Sequence, residues 1–173
     1  MKTLVIHPTD YTTNFLKGIY ADTDWTIIND NPSNKALKNA IKSHDRIVML
    51  GHGTEHGLIG HKRLIIDSGL VYLLKGKPGS VYIWCNADVF VKKYDLKGFY
   101  TGMIISEIEE AYLYCVNFRT SADIDDSNKL FADSIKNAIC LDSKEMCTKV
   151  KENYVSLDNN IIHFNAQNIY EST

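Results

Sequence analysis

Short apolar runs separated by helix-sized amphipathic stretches constrain this chain more than any other feature. Thr3 to Ile6, Trp25 to Ile28, Ile47 to Leu50 and Val81 to Trp84 are compact runs of strand-forming residues. Between them, about Asp10 to Tyr20 carries Phe15, Leu16 and Ile19 on one helical face. A second stretch, opened by Pro32-Ser33 and running to about Ser43, carries Ala36, Leu37, Ala40 and Ile41 at helical spacing. Parallel strands need such crossovers. The βαβ order therefore predicts an α/β fold: a three-layer sandwich with a mostly parallel central sheet and helices on both faces.

The later chain extends that pattern. Residues 54–66 hold two glycines and short apolar pairs, which suit a loop or small hairpin. Asn86 to Lys93 reads as a helix and Tyr100 to Ile105 as a fifth strand. Ser106 to Glu109 has capping-box form. Asp125 to Ala138 and Ser143 to Tyr154 are helical, and Asn160 to Asn165 is a candidate late strand. The 173 residues, 45% of them hydrophobic, suffice for one domain spanning 1–173.

Charge and cysteine usage narrow the function. With 19 basic and 21 acidic residues the net charge is −2, and no basic stripe stands out, which disfavours nucleic acid. No segment has the length of a membrane span and the N-terminus lacks a cleavable leader pattern, so a cytoplasmic protein with no membrane partner is expected. Cys85, Cys115, Cys140 and Cys147 show no CxxC spacing, and a cytosolic chain keeps them reduced. Cys115 and Cys140, in apolar surroundings, read as packing residues.

Two strand ends carry chemistry. Arg46-Ile47-Val48-Met49-Leu50 leads into Gly51-His52-Gly53, and Val81-Tyr82-Ile83-Trp84 leads into Cys85-Asn86. If both runs are buried parallel strands, imidazole and thiol emerge at one sheet edge, where open α/β sheets place their ligand crevices. Asn86 is placed to cap the following helix, whose N-terminus would favour thiolate. The Gly53 N–H can donate to an oxyanion. The other reading of Cys85 is a buried structural cysteine, and of His52 an exposed turn residue. His7, after the first strand, and the acidic Asp30 and Asp88 are candidates for the walls of a substrate pocket. A separate constellation, His52, His56 and His61, falls within ten residues, but its glycines oppose a helical zinc motif.

A strand ending in His-Gly followed by a strand ending in Cys resembles the clan CD cysteine peptidases, which include caspases, gingipains, clostripain and CHAT proteins. The resemblance implies a caspase-like sandwich. It makes Cys85 the nucleophile, His52 the general acid and base, and the Gly53 and Cys85 amides the oxyanion donors. It implies a protein or peptide substrate and no cofactor. A basic substrate side chain is favoured, because no arginine falls at the expected rim. A protein partner or a second copy of the chain stays open. So do two alternatives: a catalytically inactive interaction domain of the same fold, and a metal-dependent hydrolase built on the histidine cluster.

Overall fold

The computed structural model describes residues 1–118 and 120–173. Five parallel strands form the sheet: β1 (Thr3–Ile6), β2 (Thr26–Ile28), β3 (Arg46–Leu50), β7 (Ser80–Ile83) and β8 (Gly98–Thr101). A sixth, β9 (Ile169–Ser172), pairs antiparallel with β8 at the edge. The order is β2-β1-β3-β7-β8-β9, and a three-stranded antiparallel sheet, β4 (Gly53–Thr54), β5 (Gly57–Gly60) and β6 (Arg63–Ile66), follows β3. The chain leaves β1 toward one edge and returns past it to β3. The carboxyl ends of β1 and β3 therefore flank the crevice that such a reversal opens.

Alternation along the strands builds a core on each face. Val5, Val48, Leu50, Val81, Ile83 and Phe99 pack on one side against α5 (Ser121–Ala138), α6 (Ser143–Tyr154) and a 3₁₀ turn, Asn14–Ile19. Leu4, Ile6, Ile47, Met49, Tyr82 and Trp84 pack on the other against α1 (Asn34–Ser43), α2 (Val71–Leu74) and α3 (Ala87–Lys93). The two clusters make the three-layer α/β arrangement with its mostly parallel sheet.

Several expectations are corrected. The first connection holds a 3₁₀ turn in place of the helix from Asp10 to Tyr20. Ser33, whose hydroxyl accepts from the Ala36 N–H, caps α1, so Pro32 precedes the cap. The fifth strand stops at Thr101, and α4 (Ile108–Leu113) starts after Glu107. Asn160 to Asn165 belongs to a helix, α7 (Asn160–Gln167). There the Asn159 side chain accepts from the Ile161 and Ile162 N–H groups, and this cap settles a short apolar run as helix. Cys115 and Cys140 are exposed, and only Cys147 is buried. Among the described residues, no helix is long and apolar enough to cross a membrane.

Candidate active site

Register brings His52 and Cys85 together. Leu50 and Ile83 are partners across the β3–β7 ladder and share a core face. His52 and Cys85 each lie two residues farther on, just past the carboxyl ends of these neighbouring strands. Both line one narrow cleft of about 30 Å³, walled by Thr13, Phe15, Ile83, Ile104 and Phe131.

His52 is held from one side. Its Nε2 lies 2.6 Å from Thr12 Oγ1, and the Thr12 hydroxyl lies 2.8 Å from Asp10 Oδ1. Asp10 can only accept, so the hydroxyl donates to it and receives from Nε2–H. This assigns the Nε2–H tautomer and leaves Nδ1 with the free lone pair. The Thr12 N–H and hydroxyl, with His52 close by, hold the Asp10 carboxyl below its ordinary range. Asp10 and Thr12 thus orient the imidazole as a carboxylate commonly does.

The thiol is not poised as a thiolate. Asn86 takes a left-handed conformation (φ 65°), and its side chain does not cap α3. Burial pushes the Cys85 thiol up to about 11, and the carboxylates of Glu110 and Glu107 add to the shift. The Cys85 sulfur donates to the Ile104 carbonyl at 3.7 Å, a contact only the protonated form can make. The left-handed Asn86 instead turns the chain sharply, with the Ala87 N–H bonding back to the Trp84 carbonyl and the Asn86 N–H taken by Gly102. Cys85 sits at the apex of that turn, and among the described residues its own N–H meets no backbone acceptor. Gly53 pairs with Leu58 at a ladder position between two bonded pairs, so its N–H points away from β5.

The other expected residues lie elsewhere. His7 is buried behind the cleft, with Nδ1 2.9 Å from the Tyr20 hydroxyl and Nε2 3.1 Å from Thr13 Oγ1. It supports the wall and does not line it. Asp30 is exposed after the edge strand β2, three strands from Cys85. Asp88 is paired with Lys92 at 2.9 Å along α3, and that lysine sits over the Tyr170 ring. Neither acid faces the cleft's lining. His56 is at the β4–β5 turn beside Glu55, and His61 is at the β5–β6 turn. The described residues gather no group of three or more His, Cys, Asp or Glu suited to a metal ion, so His52, His56 and His61 do not form one site.

Sequence reasoning missed the segment after β8. Ser106 lines the cleft, and with Glu107 it also lines an adjoining open groove of about 540 Å³. Tyr11, Asp125, Lys129 and Asp133 form much of the rest. Burial and the nearby Glu110 carboxylate raise the Glu107 carboxyl above its usual range. The sequence places a capping box over Ser106 to Glu109, whereas the box that forms joins Glu107 and Glu110, and its nearness to the thiol depends on the course of the loop.

No family model, curated protein or solved structure matches this chain.

His7 yields a stability prediction. Burial, with Lys17 nearby, lowers its pKa from 6.5 to about 4. Below pH 6.5 the unfolded imidazole takes a proton that the folded one refuses. Stability contributed by neutral His7 is therefore complete above about pH 6.5 and falls as pH drops toward 4, by roughly 3 kcal/mol. Urea unfolding at pH 7 and pH 4.5 should show this slope in the wild type and a flatter one in His7→Gln. Equal slopes would mean that His7 titrates normally.

Proposed function

We propose that the protein is a cysteine endopeptidase of caspase-like fold with a His52–Cys85 dyad. One observation carries the reading: the two side chains, delivered by neighbouring parallel strands at the same offset from a registered pair, line a single cleft. In the reaction, the Cys85 thiol passes its proton to His52 Nδ1 as sulfur attacks the peptide carbonyl. The Cys85 N–H, and with it Gly53, stabilises the oxyanion. Protonated His52 then delivers the proton to the departing amine. Water attacks the thioester, releasing the carboxylic acid and restoring the thiol.

The adjoining groove supports a preference. Glu107, Asp125 and Asp133 outnumber Lys129 there, which suits a lysine or arginine side chain of the substrate. Such a cation beside Glu107 would also offset the negative field that disfavours thiolate at Cys85. The same field favours a second reading, in which the fold is retained as an inactive interaction domain.

A positional peptide library, incubated with the wild type and with Cys85→Ala, tests the proposal. Cleavage after Lys or Arg by the wild type alone is expected. Cleavage that persists in Cys85→Ala, or none specific to the wild type, would overturn the peptidase reading.

A further inference from the structure

The segment from Gly102 to Glu107 is the wall facing the Cys85 sulfur, and almost every peptide group in it is tethered. The Gly102 N–H bonds the Asn168 carbonyl, and the Gly102 carbonyl accepts from Asn86. Glu110 Oε2 accepts from the Ser106 and Glu107 N–H groups, and Asn128 Nδ2 donates to the Ser106 carbonyl. At the centre is Asn165 of α7, 1% exposed. Its Oδ1 accepts from the Ile105 N–H at 2.7 Å, and its Nδ2 donates to the Ile105 carbonyl at 2.9 Å. A single side-chain amide pairs both backbone groups of one residue, as a neighbouring strand would. Its remaining N–H meets the Tyr154 hydroxyl at 2.9 Å, which lies 2.7 Å from Ser127 Oγ.

The residue anchored in this way follows Ile104, whose carbonyl accepts from the Cys85 thiol. We propose that Asn165 is a positioning residue for Cys85: its amide pins the Ile105 peptide and so holds the Ile104 carbonyl and the wall it belongs to against the sulfur, keeping the thiol covered. The inference rests on the peptidase reading for its biological meaning, although its test needs no substrate. The titratable groups near the sulfur are His52 from the end of β3, and Glu107 and Glu110 from the start of α4. From α5 and the 3₁₀ turn the cleft receives Phe131, Phe15 and Leu16, all uncharged. Asp10 lies behind His52, and Asp125, Lys129 and Asp133 lie along the groove. Freeing the segment opens the sulfur to water and so relieves the burial that is the largest cause of its raised pKa, while Glu107 and Glu110 stay tied together in the cap of α4.

The experiment is alkylation of the full chain by iodoacetamide from pH 6 to 10, followed at each cysteine by mass spectrometry. The exposed Cys115 and Cys140 serve as internal standards. A thiol relaxing from about 11 toward the ordinary value gains thiolate while losing some nucleophilicity. Asn165→Ala should therefore label Cys85 about ten- to twenty-fold faster at pH 7.5, with its pH midpoint moved down. Tyr154→Phe breaks the same buried network but leaves the Ile105 pairing intact. It should lower the melting temperature without changing Cys85 labelling. If Asn165→Ala does not fold, Asn165→Leu keeps the volume, removes both hydrogen bonds to Ile105 and carries the test. Unchanged or slower Cys85 labelling in the Asn165 variants, or equal acceleration by Tyr154→Phe, would overturn the proposal. Cleavage surviving in Cys85→Ala would sink the peptidase reading and leave this one standing.

Discussion

Cys85→Ala is expected to lower kcat/KM for a cleaved peptide by about 10⁴-fold or more, while the melting temperature moves by less than about 4 °C. The activity loss follows from removing the attacking atom. The small stability change follows from the site. Cys85 sits at a turn apex with part of its surface open to solvent, and its thiol makes one weak hydrogen bond, to Ile104. Truncation to Ala removes a single sulfur that carries no charge at neutral pH, so roughly 1 kcal/mol is an upper estimate for its cost. His52→Ala should lose about 10²- to 10⁴-fold. The two losses should not add, because a nucleophile and its proton acceptor act as one unit. A large drop in melting temperature for Cys85→Ala, with cleavage retained, would mark the thiol as a packing group instead.

The placement of that pair was legible in the sequence because it depends on strand ends and strand adjacency. Apolar runs ending at Leu50 and Trp84 announce buried parallel strands, and the residues just past them can only emerge at the carboxyl edge. Thr12, Glu107, Glu110 and Asn165 were not legible in this way. Each reaches the site through a connection whose path is set by packing. The Asn165 contact with Ile105 spans 60 residues of chain. Asp30 and Asp88 failed as pocket residues for a related reason: a strand end tells which edge a residue occupies but not where its side chain turns. The Asp88–Lys92 spacing did contain the answer, since an i,i+4 pair on a helix satisfies both charges along the helix. The thiol's electrostatics were misread because the left-handed Asn86 turns the chain at Cys85 and because the neighbouring carboxylates come from elsewhere.

Gly53→Ala is expected to destabilise the protein by about 3 kcal/mol or more, a fall of roughly 6–12 °C in melting temperature. A Cβ at this position would lie 2.1 Å from Trp84 Cδ1 and 2.6 Å from the Gly57 carbonyl oxygen. Neither neighbour can yield easily. The Gly57 oxygen is backbone in the facing strand β5. The Trp84 ring is 2% exposed, and its Nε1–H donates to the Thr54 carbonyl at 3.0 Å. Phe90 meets the ring edge-on at a centroid distance of 5.7 Å, and Tyr82 meets it similarly from the other side. The glycine beside His52 is therefore explained by close packing of an indole, whatever its N–H does in catalysis. Trp84 immediately precedes Cys85, so the clash is transmitted directly to the proposed nucleophile. Gly76→Ala is the matched control, because nothing lies within 4 Å of a Cβ there. Combining Gly53→Ala with Trp84→Leu should recover part of the lost stability relative to the sum of the single changes. Denaturant unfolding of the four proteins measures that coupling. Strict additivity, or a Gly53→Ala protein as stable as the wild type, would show that the indole does not dictate glycine at this position.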